Sequence, residues 1–156
     1  MLDLAALVLA CAPSIAPATM LAVIDVESGG NPYAIGVVDG RLERQPTTLE
    51  EAVSTVRALE ADGWNYSVGL AQVNRQHHAR LGWSGAAAFD PCANIAAGAE
   101  ILAECFDRAS KETSDEQHAL RAALSCYYSG SFTHGQRSDT RGTSYVDRVL
   151  SSEATN

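Results

Sequence analysis

Glu27 is the carboxylate whose neighbours along the chain set it apart. Met20, Val23, Ile24 and Glu27 stand at positions i, i+3, i+4 and i+7. That spacing is one face of a helix, and the other three members are apolar. A carboxylate on the face that packs inward is disfavoured as an anion, so its pKa rises. A carboxylic acid held this way can keep a proton to donate near neutral pH. The pattern alone leaves a second option, a carboxylate at a frayed helix end that bends out to water. Other candidate groups have simpler explanations. Asp90 before Pro91 suits a helix N-cap, and Asp39-Gly40 suits a tight turn. Glu100 and Glu104 fall off the apolar stripe of their helix and read as solvated. His77 and His78 are adjacent, so they diverge, and neither completes HExxH. Ser28, Ser67 and Ser129 have no evident His/Asp partners, and there is no GxSxG. Trp64, Trp83, Tyr127 and Tyr128 could stack on sugars or fill a core equally well. No metal or cofactor is expected, because no cysteine lies in a CxxC pair and no histidine has ligand spacing to one.

The elements that must position Glu27 follow from periodicity and punctuation. A helix is predicted from Pro17 to about Ser28, with proline in its first turn and Gly29-Gly30 as its stop. Ala34 to Val38, Asp39-Gly40 and Arg41 to Gln45 read as a β-hairpin. Thr48 and Glu51 form a capping box for a helix whose buried face is Leu49, Ala52, Val53, Val56 and Leu59, ending at Gly63. Trp64 to Asn74 reads as a loop entering a short helix. Asp90-Pro91 opens another helix, with Ile95, Ala99, Leu102 and Phe106 as its stripe. A further helix runs from about Asp115 to Tyr128. Gly130 to Gly142 is polar and irregular, and Tyr145, Val146, Val149 and Leu150 mark a final short helix. The apolar run Leu4 to Ala12 could be a signal-peptide core or a lipoprotein site at Cys11. No Lys or Arg precedes it and Asp3 has the wrong sign, so a short first helix is preferred. The expectation is one mainly α (α+β) domain over residues 1–156, with its core in about 11–150 and a small β-hairpin.

Composition narrows the function classes. A chain of 156 residues with 46% hydrophobic content is a folded domain with a sizeable core. Its 19 acidic and 11 basic residues give a net charge of −8, and Lys111 is its only lysine. No basic stripe exists to neutralise a phosphate backbone, which argues against nucleic acid as a partner. The same charge gives no reason to sit on an anionic membrane. No apolar stretch reaches the ~20 residues that span a bilayer. Four cysteines, Cys11, Cys92, Cys105 and Cys126, suggest two disulfides and an oxidising compartment, with four buried free thiols as the alternative. Four cysteines allow three pairings, and spacing does not choose among them.

Five segments in register carry a resemblance. Glu27-Ser28-Gly29-Gly30-Asn31-Pro32-Tyr33-Ala34 resembles the first motif of the soluble lytic transglycosylases, where the glutamate of a Glu-Ser pair is the catalytic acid. Gly69-Leu70-Ala71-Gln72-Val73-Asn74 resembles the second motif, with Ala71 in place of the usual Met. Phe89 to Ile95, with Gly98, resembles the third. Ala123 to Gly130 resembles the fourth, with Tyr128 where Asn is usual. Tyr145 is similar to the family's C-terminal tyrosine. The insert between the first two motifs resembles the branch that serves bacterial type IV secretion systems.

The resemblance implies a lysozyme-like fold and a peptidoglycan lytic transglycosylase acting in the periplasm. Glu27 would cleave the β-1,4 bond between N-acetylmuramic acid and N-acetylglucosamine, first as acid and then as base, leaving a 1,6-anhydromuramyl end. Most glycosidases use two carboxylates; no convincing second one is evident here, and this chemistry does not need one. Gln72 and the backbone around Ser67, Gly69 and Leu70 would hold sugar groups, with Tyr128 in the sugar pocket. Tyr127 and Tyr145 would hydrogen-bond near Glu27, and Ser28 would support the same carboxylate or the muramyl group. Asp90 and Asn94 would be structural, Asn94 stabilising the loop after Asp90-Pro91. The family also favours Cys11–Cys92, leaving Cys105–Cys126. Glycan strands are the expected partner of a monomer, with secretion-system subunits as further candidates. A hydrolytic muramidase of the same fold, or a non-catalytic wall-binding module, are the competing readings.

Overall fold

The computed structural model describes residues 1–156. Helix α2 runs from Pro17 to Ser28, the predicted span, and Gly29 ends it in the left-handed conformation at φ 60°. α2 is buried on two sides. Met20 and Ile24 belong to a cluster with Val8, Leu70 and Ile95. Ala22 and Val23 belong to another with Leu102, Leu124, Val146 and Val149. Ile24 is 1% exposed, so truncating it to alanine would cost about 2–5 kcal/mol.

The predicted N-terminal helix is present as α1, Leu4–Cys11, capped by Asp3, whose Oδ1 accepts from Ala6 N at 3.0 Å. Helix α5, Pro91–Ser110, is capped by Asp90, whose Oδ2 accepts from Ala93 N at 2.9 Å. Cys11–Cys92 ties the end of α1 to the start of α5. Helix α6, Glu116–Ser129, packs along α5 and is joined to it by Cys105–Cys126. Both disulfide pairings implied by the resemblance are therefore formed, and they fit an oxidising compartment. Helix α7, Tyr145–Glu153, packs on α2. No helix is long and apolar enough to cross a membrane.

The β-hairpin expected over Ala34–Gln45 does not form. Strand β1, Ile35–Val37, pairs antiparallel with β2, Tyr66–Val68, and β2 pairs with β3, Val73–Asn74. The segment expected as a loop after Trp64 thus supplies two strands. The physical reason is burial. Arg41 to Gln45 offers one apolar side chain, Leu42, whereas Tyr66 and Val68 are both 0% exposed. Gln45 still reaches β1 through its side chain: Oε1 accepts from Ile35 N at 2.8 Å and Nε2 donates to Ile35 O at 3.0 Å. One amide side chain thereby stands in for the missing strand.

Helix α3, Leu49–Ala61, packs Ala52, Val53, Val56 and Leu59 against Ile35, Tyr66 and Phe89. Leu49, expected on that face, is 39% exposed in the first turn. The capping box is shifted by one residue. Thr48 Oγ1 accepts from Glu51 N, but Glu51 Oε2 accepts from Thr47 N at 3.1 Å. After β3 come a 3-10 turn, Arg75–His77, and the short helix α4, His78–Leu81. Two more 3-10 turns, Gly85–Phe89 and His134–Gln136, precede α5 and α7. The result is a mainly helical protein with a small three-stranded antiparallel sheet, in keeping with a lysozyme-like fold.

Candidate active site

A cleft of about 800 Å³ is lined by Gly36, Ser67, Gln72 and Asn74 from the sheet side, and by Glu104, Arg108, Tyr127 and Tyr128 from α5 and α6. Glu27 lines it from the last turn of α2. Burial pushes the Glu27 carboxyl up from 4.5 to about 7, against the opposing effects of the Tyr145 hydroxyl and the Arg148 charge. The C-terminal end of a helix also disfavours an anion. Tyr145 donates to Glu27 Oε2 at 3.1 Å, and Glu27 Oε1 takes no hydrogen bond from the protein. The inward-facing option left open by the helical pattern is the one the chain adopts.

Tyr145 is fixed on every side. It is the first residue of α7 and 2% exposed, just after Ser144, whose Oγ caps the helix by accepting from Asp147 N. Its ring stacks on Tyr128, with centroids 4.5 Å apart and planes 15° apart. Burial, then the Glu27 charge, holds its hydroxyl well above the ordinary tyrosine range, so it remains a proton donor. Tyr128 also lies parallel to His134, with centroids 6.3 Å apart, yet keeps 46% of its surface exposed in the cleft. Where the family's usual Asn would offer an amide, this chain has an aromatic stack that leans on Tyr145.

The remaining predicted residues divide into cleft wall and scaffold. Tyr127 lines the cleft, but its hydroxyl donates to Ala71 O at 2.6 Å rather than to Glu27. Ser28 does not reach the carboxylate either. Its Oγ lies 2.8 Å from Leu70 O and 3.0 Å from Ile24 O, and it accepts from Gly30 N. It therefore pins the end of α2 to the segment Gly69–Gln72. Leu70 is 0% exposed, so its side chain is core and only its carbonyl takes part. Gln72 sits at φ 50° and donates from Nε2 to Ala34 O and Gly69 O at 3.0 and 3.1 Å. A Cβ on Gly36 would stand 2.6 Å from Gln72 Oε1, so a larger residue there would push the Gln72 side chain out of this position. Ser67, opposite Gly36 and Asn74 in the sheet, accepts from Asn74 Nδ2 at 3.2 Å and faces the cleft.

Asn94 is structural, and it holds more than the loop beside Asp90-Pro91. Fully buried, it accepts from Ala71 N at 2.8 Å and donates to Val68 O and Ala88 O at 2.9 Å each. Gly69, at φ 82°, leaves the space: a Cβ there would lie 2.3 Å from Asn94 Nδ2. The third motif thus holds the second in place. Sequence reasoning missed Asn74, His77, Glu104 and Arg108 as cleft residues. Asn74 is the last residue of the segment that resembles the second motif and could have been found. Nothing in the local pattern of α5 marks Glu104 or Arg108. No cluster of three or more His, Cys, Asp or Glu side chains is arranged to hold a metal ion.

The comparisons agree with this geometry. The family model of the transglycosylase SLT domain matches residues 6–147. The chain is 54% identical over 143 residues to the type IV secretion system protein virB1 of Brucella abortus, an alignment covering 91% of this chain and 60% of that protein. It is 33% identical over 126 residues to protein virB1 of Agrobacterium fabrum, covering 80% and 51% respectively. It is also 36% identical over 128 residues to protein virB1 of Rhizobium radiobacter, covering 80% and 52%. The chain therefore spans three-fifths or less of the length of these curated relatives. No solved structure matches. The family match, which takes in Glu27, Tyr145 and the segments that hold them, shows that the chain belongs to the transglycosylase SLT domain family.

Proposed function

We propose that this chain is a peptidoglycan lytic transglycosylase with Glu27 as its single acid and base. The observation that carries the reading is the state of Glu27: a cleft carboxyl pushed up to about 7, with Oε2 held by Tyr145 and Oε1 left to a ligand. At that value the acid and its anion coexist near neutrality, as a group that gives a proton and then takes one requires. Protonated Glu27 transfers its proton to the oxygen joining N-acetylmuramic acid C1 to N-acetylglucosamine. The C1–O bond breaks, and the substrate's own N-acetyl oxygen stabilises the positive centre. The Glu27 anion then removes the proton of the muramyl 6-hydroxyl, and the O6–C1 bond closes a 1,6-anhydro ring. Glu27 ends protonated and no water is consumed.

In this reading Ser67, Gln72 and Tyr128 meet the sugars on opposite walls. Ser28, Gly69, Leu70, Asp90 and Asn94 act through the scaffold, and Tyr127 bridges α6 to Ala71. The name of the Brucella relative, type IV secretion system protein virB1, supports a place beside such a system, where the reading has the enzyme open the wall locally in the periplasm. The test is direct. Purified sacculi treated with the protein should release anhydro-muropeptides, and Glu27→Gln should release none; products one water heavier would instead make this a hydrolytic muramidase.

A further inference from the structure

Arg108 carries the one arginine or lysine side chain among the residues that line the cleft. It belongs to a chain of net charge −8, whose overall field repels an anionic ligand. His77, also on the cleft, is held below its usual range by burial and by neighbouring Arg80 and so stays neutral. Arg108 has an obvious carboxylate to pair with. Glu104 lies four residues earlier on α5, the most favourable order and spacing for an intrahelical ion pair. The pair does not form. Arg44, Arg80, Arg121 and Arg148 are ion-paired, and Arg108 is among the six arginines that are not. Its guanidinium turns instead over the Phe132 ring, 5.5 Å from the centroid, with Nη1 3.7 Å from Cys126 Sγ. A place in the last turn of α5 suits a cation. It does not explain a guanidinium turned from Glu104 onto Phe132 and the disulfide that joins α5 to α6.

Stacking and the disulfide thus pre-orient an arginine whose hydrogen-bonding fork has no carboxylate. Planar, bidentate recognition of a carboxylate is what such a group does best. The peptide stems on the muramyl units of peptidoglycan carry free carboxylates out along the stem; in the bare glycan the only carboxylate is that of the lactyl group, close against the sugar ring. We propose that Arg108 is a specificity-determining residue that binds a stem-peptide carboxylate, so that the cleft selects peptide-bearing strands over peptide-free ones. This rests on the transglycosylase reading and names the substrate class within it.

The test compares three substrates: strands with free stem carboxylates, strands with those carboxylates amidated, and strands stripped of stems by an amidase, which keep only the lactyl carboxylate beside the ring. The expected result is a kcat/KM about tenfold higher on the first than on the other two, carried in KM. Arg108→Gln should bring that ratio close to one, and Arg108→Lys should restore part of it. A wild-type ratio at or below one, or a ratio unchanged in Arg108→Gln, would overturn the assignment. Equal preference for amidated and free stems would overturn it as well, by showing that peptide bulk and not charge is read. If the wild type cleaved none of the three, the transglycosylase reading itself would fall, and this inference with it.

Discussion

Tyr145 and Glu27 lie 118 residues apart in the chain, yet the tyrosine hydroxyl stands 3.1 Å from Glu27 Oε2. Two opposing effects meet there. Burial favours the protonated acid, and the hydroxyl favours the anion. The balance near 7 depends on both.

Replacing Tyr145 with Phe removes the hydrogen bond and keeps the ring that stacks on Tyr128. Loss of a donor to the carboxylate destabilises the anion, so the Glu27 pKa should climb above 7. The alkaline limb of the kcat/KM profile, which reports loss of the proton from the free enzyme, should move to higher pH. The rate should fall about tenfold, the worth of one well-placed hydrogen bond. A pH–rate profile of both proteins checks both expectations.

Glu27 should also weaken the fold as pH rises. Below pH 4.5 both folded and unfolded chains hold the proton and there is no penalty. Between 4.5 and about 7 the unfolded chain releases it first, so stability falls across that window. Glu27→Gln removes the effect. Allowing for the solvent that still reaches this side chain, the variant should be more stable than wild type by about 1–3 kcal/mol at pH 8 and equal to it near pH 4. Urea midpoints at the two values measure the difference.

Asn94→Ala should be among the most damaging substitutions outside the apolar core. It strands Val68 O, Ala88 O and Ala71 N in the interior. Each unsatisfied group costs about 1–3 kcal/mol, so a loss of about 3–5 kcal/mol is expected. Because the freed segment carries Gln72, activity should fall even where the protein remains folded. Denaturant melts paired with residual activity at low temperature separate the two effects.

The two disulfides should contribute unequally. Cys11–Cys92 closes a sequence separation of 81 and Cys105–Cys126 one of 21. Loop-closure entropy gives about 4.5 kcal/mol for the first and about 3 for the second. Paired Cys→Ala variants should rank that way in stability. Activity should rank the other way, because Cys105 and Cys126 line the cleft and Tyr127 and Tyr128 follow directly. Thermal melts and turnover of the two variants decide.

The legible parts of the fold were those with local chemical marks. Pro17 and Gly29 bound α2 and Asp90-Pro91 starts α5, each visible in one short stretch. The sheet was illegible for the opposite reason. Its strands are two or three residues long, and β1 finds its partner some thirty residues on, past a helix. A nearby Asp-Gly turn pointed to Arg41–Gln45, and only burial of Tyr66 and Val68 decides against it. Helical spacing singled out Glu27 but left open a carboxylate bent out to water, and the resemblance named it the acid. Its partner Tyr145 came only from resemblance, since no local rule links residues so far apart. The roles of Ser28, Leu70 and Asn94 shifted from ligand or nearby loop to the hydrogen bonds that hold the Gly69–Gln72 segment. Side-chain direction, which sequence spacing does not carry across a loop, accounts for that shift.

The most direct measurement is mass analysis of the muropeptides released from purified sacculi by wild type and by Glu27→Gln. A single acid and base at Glu27 predicts 1,6-anhydromuramyl products from the wild type, each one water lighter than its hydrolysis counterpart, and none from the variant. Reducing-end products, or undiminished release by Glu27→Gln, would contradict it.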